Sequence, residues 1–363
     1  MPQGRVTRRF GHITMSVDIF LWLVQDGITN GAIYALLALA LLLVFSVTRV
    51  IFVPQGEFIS FAALSLALLQ NGQTPGLIFL LMGGGLLAFA MEAWTAYRQG
   101  DWRNWPVSVL LYLVWPMGMA GLVMWLAPTK PGLWSQVGLV LGMVVCLGPI
   151  LYRTAYQPLA KASVLVLFIA SMAVHYILTG LGLVFFGGEG LRSEPLSDAR
   201  FQWGVLNISA QSLLVIAASV LAMLILWVFF DRSLYGKALR ATAINRLGAR
   251  LVGIRTELAG MISFTLAALL GALSGLLIAP ITTIYYDTGF LFGLKGFVGA
   301  ILGGMASYPL AVVGALVLGL LEAGASFAAS QFKESLVFSI IIPPLIWLSL
   351  RSRHVEQEEE EES

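Results

Sequence analysis

The chain has 363 residues, of which 58% are hydrophobic and 11% charged, and its mean hydropathy is +0.87. Average soluble domains contain about 25% charged residues, so this composition excludes a soluble globular protein and indicates a polytopic membrane protein. The formal net charge is +2, and the single cysteine, Cys146, excludes an internal disulfide and a Cys-rich metal site.

The hydropathy pattern predicts an all-α polytopic membrane protein with about nine to eleven transmembrane or partly crossing helices, since one crossing takes about 20 apolar residues. The predicted spans are 19–47, 76–96, 107–127, 133–151, 162–186, 211–230, 258–280, 309–329 and 336–350. Two further apolar segments, 50–70 and 289–308, are interrupted by Gly, Pro or charge. We predict that both are re-entrant or broken.

Basic residues orient the predicted spans, because short basic loops face the cytoplasm. Basic loops follow the second, fourth and sixth spans, and the last two Arg residues follow the final span. If all of them lie inside, 289–308 must cross the membrane. Arg5, Arg8 and Arg9 stay inside only if 50–70 enters and leaves on one side, so we expect a re-entrant segment there. The predicted domains are a cytoplasmic N-terminal extension (1–18), a transmembrane domain (19–350) and a cytoplasmic acidic C-terminal tail (351–363).

Two regions of the chain carry charged residues at membrane depth, where ionisable groups are costly and usually functional. Gln55, Gly56 and Glu57 follow a Pro in the first interrupted segment. Glu57 lines a substrate path or braces a broken helix, or it pairs with Arg49 or caps the following helix.

The second region contains two charged residues: Lys295 in the interrupted segment 289–308 and Glu322 in the span that follows it. Lys295 is a counter-ion of Glu57 or of Glu322, or it extends to the interface. Glu322 lies among Gly and Ala residues, which favours close helix packing and a structural hydrogen bond. Tyr34 is a packing position first and a path candidate second.

The chain lacks the motifs of the common catalytic sites. Gly236-Lys237-Ala238 has neither the upstream Gly nor the hydroxyl residue of a phosphate-binding loop, and no Gly-x-Ser-x-Gly elbow occurs. The histidines, His12, His175 and His354, are far apart and lack acidic or Cys neighbours at ligand spacing. We therefore expect no enzyme activity, no cofactor and no metal in this chain.

A basic segment from Arg240 to Ile254 separates two long apolar stretches. Its small residues, its three arginines and its closing Gly-Ile are typical of a surface that docks another protein. A solvated amphipathic helix without a partner is the simpler interpretation. The length of the segment and its mixture of apolar and small residues favour docking.

Taken in order, several stretches resemble the permease subunits of branched-chain (hydrophobic) amino-acid ABC importers. They are residues 30–40, 55–58, 153–159, 236–254, 293–309 and 319–322. The similarity runs from about 19 to 75 and from about 133 to 350. Three departures stand out: Gln55 replaces the usual His, Asn245 replaces a common acid, and residues 76–130 resemble an inserted pair of spans.

The resemblance implies that the segment 231–257 couples the permease to an ATPase. The implied coupling residues are Arg240, Ala241, Asn245, Ala249, Leu251, Gly253 and Ile254. The implied path or helix-break residues are Tyr34, Gln55, Gly56, Glu57, Lys295 and Glu322.

The implied assembly is a multi-pass complex of the bacterial inner membrane. Its partners are a homologous second permease, two cytoplasmic ATPase subunits that hold ATP and Mg, an extracytoplasmic solute-binding protein and the lipid bilayer, with no nucleic acid. The alternative hypothesis is a self-sufficient secondary transporter or channel that uses Glu57, Glu322 and Lys295 for ion coupling.

Overall fold

The computed structural model of the chain is a bundle of α-helices. It describes residues 17–340, 342, 343 and 346, except 101, 103, 104, 196, 198, 204, 205 and 306. Within that part of the chain, eight helical spans are long and apolar enough to cross a membrane. Helices suit this solvent because each satisfies its own backbone N–H and C=O groups. The predicted all-α polytopic class is confirmed.

The helices are numbered in chain order. They are α1 (Val17–Thr48), α2 (Gln55–Gln70), α3 (Leu77–Gln99), α4 (Trp105–Val109), α5 (Trp115–Leu126), α6 (Leu133–Leu151), α7 (Val164–Phe186), α8 (Ala210–Arg232), α9 (Leu234–Ile244), α10 (Arg246–Leu251), α11 (Thr256–Ile278), α12 (Thr288–Leu302), α13 (Tyr308–Ala328) and α14 (Lys333–Ser339). A π-helical turn, Leu110–Val114, joins α4 to α5, and another, Tyr152–Tyr156, extends α6.

The observed spans agree closely with the predicted ones. The predicted span 258–280, for example, is α11 at Thr256–Ile278. The predicted span 336–350 falls mainly outside the described residues, and α14 covers only its beginning. The sequence pattern did not predict the antiparallel hairpin of β1 (Arg200–Trp203) and β2 (Leu206–Ser209).

The two ends of the bundle are defined by what connects the helices there. We call the end that carries α9 and α10 the basic end. The last turns of α1 reach this end, where Leu43 and Val47 pack with Phe230 and Leu239. Helix α13 is antiparallel to α1, since the hydroxyl of Tyr308 lies 3.3 Å from that of Ser46 at the basic end. Helix α1 therefore begins at the opposite end.

Helix α2 runs parallel to α7 and ends at the opposite end of the bundle. The backbone N–H of Val53 donates to the Ser171 hydroxyl at 3.1 Å, and Gln70 accepts from the N–H of Glu194, beyond the end of α7. The expectation of a segment that enters and leaves on one side is therefore wrong. Of the two predicted alternatives, re-entrant or broken, the structure has the broken form.

The break itself lies between α1 and α2. Helix α1 ends before Arg49, whose φ of 61° is left-handed, and α2 begins at Gln55. The break lies at the level of Ser171. At 1.5 Å per residue, Ser171 is about 10 Å from the beginning of α7. Arg5, Arg8 and Arg9 were expected at the basic end only if 50–70 enters and leaves the membrane on one side. Because 50–70 instead runs along α7 to the opposite end, that expectation loses its basis. Those residues lie outside the described part of the chain.

Helix α12 is a second short helix, and it agrees with the predicted short or broken helix at 289–308. Its 15 residues begin beside the N-terminus of α2, where Gly289 and Gly56 touch, and end near the beginning of α13, where Gly303 lies against Ala311. The chain reaches α12 from the opposite end, since Ile284 forms a β-bridge with Leu191 there. Two helix N-termini therefore meet inside the bundle.

Candidate functional site

The buried carboxylate of Glu57 lies in the first turn of α2, and only one of its oxygens is paired. Its Oε1 is 2.5 Å from Nδ1 of His175 on α7, and the Thr179 hydroxyl donates to the same oxygen at 3.4 Å. Glu57 is 2% exposed, and its Oε2 has no hydrogen-bond partner among the described residues. A buried acceptor without a partner is costly, so this oxygen is a candidate ligand contact.

The N-termini of α2 and α12 are held together by a crossing of two glycines. A methyl group on Gly56 or Gly289 would overlap the backbone of the other residue. The Ser60 hydroxyl accepts from the N–H of Gly289 at 2.8 Å and fixes the crossing. Both helices present the positive end of their dipoles here; the Ser60 hydroxyl takes one N–H of α12, whereas no described side chain caps α2.

An apolar cavity of about 490 Å³ adjoins this crossing. Phe290 lines the cavity, and its ring also stacks on His175 with centroids 4.5 Å apart. The rest of the lining comes from α1, the break, α7 and α12, at Leu41, Ile51, Phe52, Val53, Phe168, Met172, Gly293, Leu294 and Phe297. Phe290 thus separates an apolar space from the His175–Glu57 pair.

Gln55 supports the same region from the side of α11. Its Nε2 donates to the carbonyl of Ala267 at 3.0 Å, and its Oε1 is buried without a partner among the described residues. The predicted group of Gln55, Gly56 and Glu57 is therefore one compact site at the start of α2. We call these residues, with His175 and Phe290, the helix-break site.

Lys295, Glu322 and Tyr34 form a separate buried cluster. The Lys295 ammonium donates to Glu322 Oε1 at 2.8 Å and to Glu334 at 3.1 Å, and the Tyr34 hydroxyl donates to the other oxygen of Glu322. Lys333 is 3.3 Å from Glu322. This ion cluster joins α1, α12, α13 and α14, and both oxygens of Glu322 are paired.

The two sites identify the ion-pair partners that the sequence left open. Lys295 is the counter-ion of Glu322, and Glu57 pairs with neither Lys295 nor Arg49. His175, which showed no acidic neighbour in sequence, is the partner that sequence reasoning missed. The only signal was a single His in the predicted span 162–186, 118 positions from Glu57.

The segment between α8 and α11 folds into two short helices at the basic end. Ser233 caps α9, accepting from Gly236 N–H at 2.8 Å. Asn245 ends α9 and caps α10, since its side chain accepts from Gly248 N–H at 2.8 Å. Gly253, with φ of 85°, turns the chain toward α11 in a left-handed conformation that glycine adopts without strain.

This segment exposes large apolar side chains between its arginines. Leu251 is 81% exposed and Ile244 84%, and Leu247 and Val252 are also exposed. Of the predicted coupling residues, Arg240, Asn245, Leu251 and Gly253 are exposed, and Ala241 and Ile254 are half-buried. Ala249 is buried in the turn between α10 and α11, so its side chain supports the segment from within, and its coupling role stays a prediction. Exposed apolar clusters usually mark interaction sites.

Comparison with known proteins gives a consistent result. The family model described as "Branched-chain amino acid transport system / permease component" matches residues 107–344, about two thirds of the chain. That match begins within the predicted insertion 76–130, so it does not delimit the insertion.

Individual relatives carry related names. The high-affinity branched-chain amino acid transport system permease protein LivH of Escherichia coli is 24% identical over 90% of this chain and 94% of its own. The corresponding protein BraD of Pseudomonas aeruginosa is 30% identical over 54% of this chain and 66% of its own. The autoinducer 2 import system permease protein LsrC of Salmonella paratyphi B is 29% identical over 38% of this chain and 39% of its own.

The long apolar helices, the two broken elements at the centre of the bundle and the family match over two thirds of the chain lead to one conclusion. The chain belongs to the family of permease components of branched-chain amino acid transport systems.

Proposed function

We propose that this chain is the permease subunit of an ABC importer for branched-chain or similarly apolar amino acids. The assembly contains a homologous second permease, two ATPases at the basic end and a solute-binding protein at the opposite end. ATP and Mg bind the ATPases and not this chain. The basic end and the C-terminal tail face the cytoplasm of a bacterial inner membrane, in accordance with the distribution of positive charge.

The helix-break site is proposed as the part of the path that contacts substrate. An amino acid has an ammonium group, a carboxylate and, in this class, an aliphatic side chain. The unpaired oxygen of Glu57 accepts from the ammonium group, and the positive ends of α2 and α12, of which α2 has no cap from a described side chain, attract the carboxylate. The apolar cavity beside Phe290 holds the side chain. The half-paired carboxylate of Glu57, which only the Phe290–His175 stack separates from this cavity, is the observation that carries the proposal.

Cysteine protection tests this assignment. In a Cys146→Ala background, Met172→Cys places a thiol in the cavity of the helix-break site. Met119→Cys is the matched control, since Met119 is also half-buried in the bundle, on α5, but lies outside this cavity and outside the coupling segment. Labelling by a maleimide is followed in the assembled importer with and without leucine-loaded binding protein and ATP.

We expect transport conditions to change labelling of Met172→Cys by at least about threefold and to leave Met119→Cys unchanged. The expectation follows because a ligand that fills a cavity excludes the reagent from it. Equal changes at both positions, or no change at Met172→Cys, would reject the helix-break site as part of the path.

The part of the coupling segment from Arg240 to Ile254 is proposed to dock the ATPase through its exposed apolar side chains and arginines. Apolar anchors at the centre of an interface usually supply most of its binding energy. Leu251 is the strongest candidate anchor, because it is exposed and lies between Arg250 and the turn at Gly253. Tilting of α9 and α10 would reach α1 and α11 directly, since Leu239 packs against Val47 and Ala259.

Leu251→Asp tests the docking surface. We expect ATPase co-purification to fall by at least about tenfold, as for loss of a central apolar anchor, while membrane insertion is retained. Leu234→Asp is the matched control: it makes the same change at an equally exposed leucine at the beginning of α9, outside the predicted docking residues. If both variants keep the ATPase, the surface lies elsewhere.

The amino-acid substrate is proposed from the family alone. The relatives include an autoinducer 2 permease as well as branched-chain permeases, so the individual substrate has to be measured. The ligand retained by the cognate binding protein identifies it, and a retained sugar or inorganic ion would reject the amino-acid assignment. The alternative of a self-sufficient ion-coupled transporter loses support, because Glu322 and Lys295 neutralise each other.

A further inference from the structure

Two adjoining cavities lie at the basic end, between the helices of the predicted insertion and the beginning of α11. Their volumes are about 530 and 520 Å³, and they share Glu92, Ser108, Gln157 and Glu257 as lining residues. One wall is formed by α3 and α4, and the other by the end of α6, by α10 and by the first turn of α11. Neither cavity contacts the helix-break site or the ion cluster.

Hydrogen-bond donors converge on the larger cavity. The hydroxyl of Tyr152, a residue only 3% exposed that lines the cavity, is buried and has no partner among the described residues. Arg250 lines the same space and is exposed. The N-terminus of α11, a helix of 23 residues, opens into it at Thr256 and Glu257, and no described side chain caps that terminus. Phenol, guanidinium and helix N-terminus together favour an anion.

The two acidic residues that line the cavities have hydrogen-bond partners within the protein. Glu92 pairs with Arg153 at 2.7 Å and accepts from the Ser108 hydroxyl at 3.2 Å. Glu257 accepts from Gln157 at 3.2 Å. Glu92 is thus paired with Arg153, and the two arginines that line the larger cavity, Arg250 and Arg255, outnumber its other carboxylate, Glu257. A cationic ligand would meet Arg250 and the positive end of α11, so an anion with several acceptor oxygens fits better.

The remaining wall is apolar. Leu111, Leu258 and Met261 line the larger cavity, and Trp94 and Trp105 line its neighbour. Tryptophan is enriched at the membrane–water interface, and basic pockets between transmembrane helices at that depth suit anionic lipid headgroups. An acyl chain can follow the apolar wall while the phosphate stays with the donors.

We propose that this basic-end cavity binds the phosphate of an anionic phospholipid. The lipid contacts Tyr152, Arg250 and the N-terminus of α11, and so joins the predicted insertion to the coupling segment. The inference depends only on the fold and on membrane residence, and it stands whether or not the chain imports amino acids.

The test measures lipid binding to the purified full chain in nanodiscs of phosphatidylcholine alone or with added phosphatidylglycerol. Bound phosphatidylglycerol is counted by native mass spectrometry, and the shift in Tm gives its stabilising effect. We expect Tyr152→Phe to weaken binding about fivefold, as for one lost hydrogen bond, and Arg250→Gln to weaken it at least about tenfold, as for a charge-assisted bond.

Two controls separate a built site from diffuse attraction. Tyr176→Phe makes the same change at an exposed tyrosine of α7, and Arg232→Gln removes an exposed arginine at the same end of the bundle. Both should bind phosphatidylglycerol as the native chain does. Equal losses in Arg232→Gln and Arg250→Gln would show only diffuse attraction and overturn the proposal.

Inorganic phosphate distinguishes the source of the anion. Added to phosphatidylcholine nanodiscs at millimolar concentration, it should give less than half of the shift in Tm produced by phosphatidylglycerol, because it has no chain for the apolar wall. An equal shift, lost in Tyr152→Phe, would identify a free phosphate site and overturn the lipid assignment. No phosphatidylglycerol-dependent shift would overturn both.

Discussion

The helix-break site and the ion cluster both bury an acid inside the bundle, but they differ in how completely they pair it. Glu322 has both oxygens occupied, by Lys295, Lys333 and the Tyr34 hydroxyl. Glu57 has one oxygen occupied, by His175, and the other is unpaired among the described residues. A fully paired buried charge is costly to break, whereas a carboxylate with one unpaired oxygen can still accept from a ligand.

The difference also separates two roles of the same helix. The first turn of α12 contacts α2 at the helix-break site, and the middle of α12 carries Lys295 into the ion cluster. The ion cluster therefore holds the helix whose N-terminus forms part of the proposed path. Variants that disturb one site without the other can test this division.

The largest effect on stability is expected for Glu322→Ala. It leaves the buried ammonium of Lys295 with only the partly exposed Glu334, and breaking a buried pair typically costs about 3–5 kcal/mol. Thermal unfolding in nanodiscs, followed by tryptophan fluorescence, should show a Tm lower by many degrees. Uptake should fall in proportion to the folded fraction.

A double variant provides the control for that prediction. Glu322→Leu with Lys295→Met removes both charges, and apolar replacement of a buried pair is often neutral. It should recover most of the lost Tm. Failure to recover, or an unchanged Tm in Glu322→Ala, would contradict the structural role of the cluster.

A smaller effect on stability and a large effect on transport are expected for Glu57→Gln. The amide oxygen still accepts from His175, so Tm should change by only a few degrees. The charge offered to a substrate ammonium is lost, and a charge-assisted hydrogen bond of about 1.5–3 kcal/mol corresponds to an uptake loss of about tenfold to a hundredfold. Uptake of labelled leucine into proteoliposomes measures it.

Asp26→Asn is the matched control for Glu57→Gln. Asp26 is an exposed acid on α1, so its neutralisation should leave both uptake and Tm unchanged. The division of roles would be contradicted if Glu57→Gln lowered Tm as strongly as Glu322→Ala does and lowered uptake only in proportion to the folded fraction.

The smallest effect is expected for Lys333→Gln. Lys333 lies 3.3 Å from Glu322, but its side chain is one third exposed and Lys295 remains as the principal partner. Partly exposed ion pairs typically contribute about 0–1 kcal/mol. The same unfolding experiment should detect little change, and a loss equal to that of Glu322→Ala would make Lys333 the principal partner instead.

Much of the fold was predictable, because apolar runs of span length determine where helices lie. The helix-break site was predicted in part: the Pro54 and Gly56 break and the buried Glu57 were visible in the pattern. Its partner His175 was not, because that contact joins residues 118 positions apart and depends on α2 running parallel to α7.

The direction of α2 was predicted wrongly for a related reason. Charge counting relied on Arg5, Arg8 and Arg9, whereas the packing of Gln70 beside Glu194 requires a continuous crossing. The positive-inside rule counts basic residues in the loops and gives no information on which helices contact each other. Side-chain pairing between distant segments carried the deciding information.

The crossing of Gly56 and Gly289 has an evolutionary consequence. In most packed pairs a larger residue on one side can be accommodated by a smaller one on the other. Here both members are already the smallest residue, and each faces the other's backbone. No second substitution at the partner position can restore the fit. A side chain at either position can therefore be accommodated only by separating α2 from α12.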